Sequence, residues 1–498
     1  MKKVLSIFAL LIFLAFIASG LYVFELPPFQ EGGPFFGAAP EKSQQVKTQE
    51  QKLPEFLSEK KISRNKTYDE RMDRGKLLEE NNYISLAILE YQEASKLEPN
   101  SIEPLIKIGR IHLRSNEFTQ ARQIFEDTLK INPESTEVMI YLGRSFLGER
   151  KIKEATEVFS KITTENQTAK YYQGMIAAFQ GEYDKSKQLL NEAVKIGGSE
   201  DITKKTENFL NAYNEFDFNQ GGSKAHLKTL LARSFTQTGE YQMAIPLLFE
   251  VIKEKKDYRD AWILLGYSYL NIEKYQDALE SFEEAKKLDP QKPETLFFLG
   301  LTYYALNDLK KAVASLELAK KNGFEPKIQV DQKLAEMYLQ LKEYEKAAKN
   351  YENALAANSS DVNLYIRPIW IYLERLDKPQ KALTLAQTTI QKHPKEAMSY
   401  NLLAWAEIGN NMLDEAEKNL GTALSINPAM DAVYLNYGLL YEKRGKFDEA
   451  EAYYKKAHAM GHGNSISVSA AERYNSLLGK IKNIPFSTSS IKTDLLTQ

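Results

Sequence analysis

Apolar and small residues along this chain follow two periods at once. In residues 261–290, AWILLGYSYLNIEKYQDALESFEEAKKLDP, the residues Trp262, Leu265 and Tyr269 recur at three- and four-residue steps, one stripe of a helix. Tyr275, Ala278, Leu279, Phe282 and Ala285 form the stripe of a second helix, and Asn271-Ile272-Glu273-Lys274 makes the turn between them. Gly266 and Ala278 are small, which lets the two axes approach to about 8–10 Å. Pro290 ends the second helix, because it has no amide to donate and suits the next first turn. A hairpin of this kind cannot bury its apolar face alone and needs neighbours stacked on it.

The longer period supplies the neighbours. Gly75, Gly109 and Gly143 fall 34 residues apart, as do Gly266 and Gly300, and then Trp370, Ala404 and Gly438. Ala244, Ala278, Ala312, Ala347, Ala382, Ala416 and Ala450 keep nearly the same interval. A repeat in the 20–50 range predicts a solenoid. The skeleton Trp262-x-x-Leu265-Gly266-x-x-Tyr269, then Ala278, Phe282, Ala285 and Pro290, resembles the tetratricopeptide repeat (TPR) family. That resemblance implies an all-α solenoid of helical hairpins wound as a right-handed superhelix, with a protein or peptide partner and no cofactor.

The marks predict about eleven repeats in two blocks. Residues 68–200 hold four, around Gly75, Gly109, Gly143 and Gly174, and residues 225–464 hold seven, around Ala232, Gly266, Gly300, Ala335, Trp370, Ala404 and Gly438. Between them, 201–224 breaks the interval: Phe209, Tyr213 and Phe216 suit an extra helix, and Gly221-Gly222 a joint. Val468, Ala471, Tyr474, Leu478 and Ile481 predict a capping helix over 465–483 that covers the last apolar face, followed by a disordered tail, 484–498. One unit is irregular. Trp370 stands where the others place a small residue, and Pro368 precedes it, so that helix is expected to start near Arg367 or to kink there.

The first segment is different in kind. Behind Lys2 and Lys3, Val4–Phe24 carries no charge and as a helix would span about 30 Å, enough for a membrane core. The run exceeds the roughly 7–15 apolar residues of a secretory signal, which favours an uncleaved anchor within 1–25; Ala18-Ser19-Gly20 leaves cleavage as the alternative. The next cation after Lys3 is Lys42, so the N-terminus is expected in the cytoplasm and the body outside it. Residues 26–67, rich in Pro, Gly and Gln, read as a flexible linker, with Phe29, Phe35 and Phe36 as an aromatic dusting.

Composition narrows the chemistry. Of 498 residues 27% are charged and 43% hydrophobic, which suits a repeat or globular protein, and the formal net charge of −2 gives no reason to expect nucleic acid. With no cysteine, disulfides, thiolate metal sites and thiol catalysis are excluded. There is no phosphate-cradling glycine loop and no Gly-x-Ser-x-Gly elbow. His458 and His462 are four apart, yet Gly461 and Gly463 mark a helix end and no third ligand is evident, so an ordinary helix terminus is the expectation. The chain is therefore read as a membrane-tethered binding scaffold, not an enzyme. The alternative, an envelope enzyme or enzyme subunit acting on glycans or peptides in its groove, would need acidic or histidine side chains converging inside the solenoid.

In proteins similar to this one, first helices line the concave face and the residue after the small one points into the groove. Here those residues are Lys76, Arg110, Arg144, Met175, Arg233, Tyr267, Leu301, Glu336, Ile371, Trp405 and Leu439: cations early, apolar side chains later. One turn earlier, Ile263, Phe297 and Asn401 keep the later part mostly apolar. Some relatives hold a C-terminal carboxylate with Lys and Asn from one first helix; no Asn occupies the after-small position here, so that clamp is not expected. The plain expectation is that these side chains pack against neighbouring repeats. The sharper one is a partner whose acidic part meets Lys76, Arg110, Arg144 and Arg233, and whose apolar anchors meet Tyr267, Phe297 and Trp405.

Overall fold

The protein is described by a computed structural model covering residues 67–482, apart from Asn81, 219–221 and 462–463. The expected anchor, all of the linker but Thr67, Gly221, His462, Gly463 and the tail lie outside the described residues. Within them are 24 α-helices and no strand. They group into eleven antiparallel hairpins and two single helices, as the spacing predicts. No helix among the described residues is long and apolar enough to cross a membrane.

Packing divides the described residues into two compact units, with the division in the sequence falling between Pro290 and Gln291. In the first, four hairpins come in order: α1 (Tyr68–Glu80) with α2 (Ile84–Leu97), α3 (Glu103–Arg114) with α4 (Phe118–Ile131), α5 (Thr136–Gly148) with α6 (Ile152–Ser160), and α7 (Gln167–Gln180) with α8 (Tyr183–Ile196). The single helix α9 (Glu200–Phe218) follows. Two more hairpins complete the unit: α10 (Lys224–Gln237) with α11 (Tyr241–Glu254), and α12 (Arg259–Asn271) with α13 (Tyr275–Leu288).

The second unit opens with α14 (Pro293–Ala305) and α15 (Leu309–Lys321), then α16 (Lys327–Gln340) and α17 (Tyr344–Ala357). A 3-10 turn, Val362–Tyr365, leads into α18 (Ile366–Glu374), paired with α19 (Pro379–Lys392). The last hairpins are α20 (Ala397–Gly409) with α21 (Leu413–Ile426) and α22 (Asp431–Lys443) with α23 (Phe447–Met460), and α24 (Ser465–Lys482) closes the series.

Each hairpin turns on one residue with left-handed backbone. These are Asn82, Asn116, Arg150, Gly181, Gly239, Glu273, Asn307, Lys342, Asp377, Asn411 and Gly445. In the 261–290 hairpin, Glu273 has φ 61°. There the Lys274 amide donates to the Tyr269 carbonyl (2.9 Å) and the Glu273 amide to Leu270 (3.2 Å), the paired bonds of a Schellman closure. Small residues then let the helices close. A Cβ added at Gly109 would lie 2.4 Å from Phe125, and one at Gly438 2.4 Å from Tyr454. Cores are shared between neighbours: Ile106, Phe125, Val138, Leu142 and Val158, drawn from α3 to α6, form one cluster.

Three local features differ from plain repetition. Over the 201–224 stretch, α9 packs between α8 and α10: Phe209 is fully buried, edge-on to Phe235 at 4.9 Å, and Lys187 pairs with Asp217 at 2.9 Å. Around Trp370 the first helix begins at Ile366, so Pro368 sits in its first turn, where a missing amide matters little. Its turn is also wider: the Lys378 amide reaches back six residues to Tyr372 (2.8 Å). In α24 the expected stripe needs correction, because Val468 is exposed while Ser467, Ala470 and Leu477 are buried. The Ser467 hydroxyl donates to the His458 carbonyl (2.9 Å) and so sets the rotation of the helix. Ala470 then meets Tyr434 and Ala457, and Leu477 meets Ala450 and Tyr454.

Candidate functional site

The cationic positions lie on first helices of the first unit. Arg110 (α3) and Arg144 (α5) are both exposed, and their guanidinium carbons stand 5.8 and 5.9 Å from the centroid of the Tyr141 ring. Neither has a carboxylate partner within ion-pair distance among the described residues. Arg144 also lines a cavity of about 500 Å³ with Tyr141, Tyr172, Asp201 and Lys205. Tyr172, and after it Glu240, raise the proton affinity of Arg144, so it is a fixed cation. Lys205 is engaged by Asp201 at 2.8 Å, while Arg144 and Glu137, which line the same cavity, have no ion pair among the described residues. Lys76 is exposed and 3.9 Å from Glu80. Arg233 is half-buried and bound to Glu215 of α9.

The expected apolar anchors divide. Tyr267 and Phe297 are each 2% exposed. Tyr267 meets Tyr241 edge-on at 6.2 Å, and Phe297 stacks on Phe324 at 4.0 Å. Both are packing residues, as are Met175, Leu301 and Ile371. Trp405 differs: half-buried, it lines a cavity of about 630 Å³ inside the second unit, together with Trp370, Arg375, Asn401, Asn436 and Leu439. First helices α18, α20 and α22 form its walls and the start of α24 its side. Arg473 of α24 donates to both carboxylate oxygens of Glu374 in α18, each at 2.8 Å, and fixes that side in place.

Profiles of the family described as tetratricopeptide repeat match residues 112–179, 260–292, 293–321, 332–361 and 407–470. These stretches of the chain are tetratricopeptide repeats. No curated protein matches it. Among solved structures, the APC/C hetero-tetramer Cut9-Hcn1 is similar at 12% identity, covering 85% of this chain and 97% of that one, with a TM-score of 0.32. Yeast Tom70 aligns at 13% identity over 83% of this chain and 96% of its own, TM-score 0.29. YrrB, described as a TPR protein with an unusual peptide-binding site, aligns at 16% over 45% and 97%, TM-score 0.27.

Within the TPR hairpins, no group of three or more His, Asp or Glu side chains is placed to hold a metal ion among the described residues. His458 is engaged by Ser467, Nδ1 to Oγ at 2.9 Å. Three contributors escape the after-small rule. Tyr141 lies three residues before Arg144, so its role needed the position of Arg110 one repeat earlier. Trp370 breaks the small-residue rule because it faces the cavity, where Arg375 covers its ring at 4.8 Å. Asn436, one residue past the apolar Leu435, pairs with Asn401 of the preceding repeat through Nδ2 to Oδ1 at 2.9 Å.

Proposed function

We propose that the protein is a binding scaffold, tethered to a membrane by Val4–Phe24 with its TPR body outside the cytoplasm, where it holds a protein or peptide partner and supports assembly of an envelope complex. The observation that carries the binding part is the Tyr141 ring with Arg110 and Arg144 against it, two exposed guanidinium groups with no ion pair among the described residues, Arg144 lining a 500 Å³ cavity. Exposed cations left unneutralised on a rigid helical face attract acidic segments and speed encounter. The uncharged run behind Lys2 and Lys3 supports the tether.

The test is crosslinking with mass spectrometry on the full chain to capture a partner, followed by binding kinetics. Arg110→Glu with Arg144→Glu should slow association about tenfold at low salt and less at high salt. Trp405→Ala should speed release from the second unit. With folding intact, unchanged rates in both variants would remove these faces from the mechanism.

A further inference from the structure

We infer that the 630 Å³ cavity of the second unit is a site for a short extended peptide segment in which a carboxylate side chain adjoins a bulky aliphatic one. The inference rests on the partner-binding reading above and names the chemistry that one of its sites selects. Three sets of observations converge on it.

The first is a backbone-sized vacancy in hydrogen bonding. Asn401 and Asn436 line the cavity at 3% and 4% exposure. Asn436 Nδ2 donates to Asn401 Oδ1 at 2.9 Å and reaches the Asn401 carbonyl at 3.5 Å. Asn436 Oδ1 accepts nothing among the described residues, and Asn401 Nδ2 meets only the Met398 sulfur, at 3.9 Å. Whichever way the amides are turned, a pair joined by one bond still offers one acceptor and one donor. Asn436 Oδ1 is open to the cavity, where a ligand's polar groups or water can reach it. A peptide unit carries the complementary N–H and C=O side by side.

The second is charge. Arg367 and Arg375 both line the cavity and are exposed, and neither has an ion pair among the described residues. Arg375 is steered instead by its stack on Trp370. The third cation, Arg473, is already neutralised by Glu374. Against Arg367 and Arg375 the lining sets one further carboxylate without an ion pair, exposed Glu472 of α24, so the wall keeps a net positive charge that suits a carboxylate. The third is shape. Trp370, Trp405, Leu439 and Ile466 supply the apolar wall, and the volume lies within the range of specific ligand pockets. An aromatic-walled recess next to free cations and an amide pair accepts an aliphatic side chain, its neighbouring acid and the peptide group between them.

Two of the protein's three tryptophans line this cavity, which makes it its own reporter. In the full chain carrying Trp262→Phe, titration with acetyl-Gly-Asp-Leu-Gly-amide should shift tryptophan emission saturably and protect it from acrylamide. The peptide with Asn for Asp should bind about tenfold more weakly, as should the one with Ala for Leu. N-methylation of the Asp–Leu amide should weaken binding by a similar factor. In Asn436→Ala that methylation should no longer matter, a coupling that a merely structural asparagine would not produce. Arg367→Gln, at an exposed position, should lower affinity three- to tenfold without affecting folding. No saturation by about 10 mM peptide, or equal binding of all four peptides, overturns the inference. If the peptides fail while a crosslinked partner maps to the Arg110–Arg144 face, the scaffold reading stands and only this site falls. If no partner is found either, both fall.

Discussion

Replacing Gly109 with alanine tests the packing that holds each hairpin closed. The new Cβ would lie 2.4 and 2.5 Å from two carbons of the Phe125 ring and 3.0 Å from a third. Carbons in favourable contact sit about 3.5–4.0 Å apart, so the ring has to withdraw by roughly 1 Å. Phe125 is fully buried and stacks on Tyr141 at a centroid distance of 5.4 Å, so it has no empty side to withdraw into. Two terms oppose each other. Alanine in a helix interior is better than glycine by about 1 kcal/mol. Overpacking a filled core is worse by about 1–3 kcal/mol. The net expectation is a loss of up to about 2 kcal/mol.

A loss of that size has several possible origins, so the decisive measurement is the cycle with Phe125→Leu. Alone, that change leaves a void beside Gly109 and should destabilise by about 1–2 kcal/mol, less than a full truncation to alanine. Elsewhere in the chain the same sixteen-residue spacing joins Ala232 to Leu248 and Ala404 to Leu420, all four fully buried. The double variant recreates that pairing of sizes. Its loss should fall short of the summed singles by about 1–2 kcal/mol. Urea unfolding followed by far-ultraviolet circular dichroism measures this; the first transition is the one compared, because repeat arrays need not unfold in one step. Additivity within about 0.5 kcal/mol would refute the argument that the small residue exists to receive the large one. Because Tyr141 also carries Arg110 and Arg144, Gly109→Ala should further weaken binding of an acidic partner there.

Other expectations are independent of that contact. Glu273→Gly and Lys342→Gly relieve left-handed backbone at side chains that disfavour it, so each should stabilise by up to about 1 kcal/mol in urea melts. Burial raises the Glu407 carboxyl above its ordinary value, although Asn419 donates to both oxygens. The folded state then favours the protonated form, so that stability is present below about pH 4.3 and is lost as pH rises through the folded value. Glu407→Gln should therefore match or exceed the wild type near pH 7, and the wild type should regain ground in acid; a gap constant with pH would contradict it. Leu477→Ala should destabilise the α24 end by about 2 kcal/mol or more, seen as early loss of protection from hydrogen exchange in 465–482. A reporter fused after Gln498 should be active only when it folds outside the cytoplasm; activity of a strictly cytosolic reporter there would end the topology proposal.

Why the fold was legible and the site only partly so follows from how far each residue's role reaches. Gly75, Gly109, Gly143, Gly266 and Gly438 each face an aromatic ring sixteen residues later, in the second helix of the same hairpin, so the reason for the small residue is written locally. The turn is local too: eight of its eleven left-handed positions are Gly, Asn or Asp, and only Arg150, Glu273 and Lys342 conceal it. A binding residue answers to its neighbours. The position after the small residue yields exposed Arg110, half-buried Trp405, and buried Tyr267 and Leu301, and the position one turn earlier yields buried Phe297, because exposure is decided by what neighbouring segments set against it. Tyr267 is covered by Tyr241 and Phe297 by Phe324, side chains 26 and 27 residues away that no single-hairpin rule consults. The same logic makes Trp370 informative. A large residue in a slot reserved for small ones contradicts the packing rule, and the wide Lys378 turn and late helix start let it leave the core for the cavity wall. Where the repeat obeys its own spacing it describes its own stability, and where it departs, at Trp370 and at Asn401 with Asn436, the departures gather around one cavity.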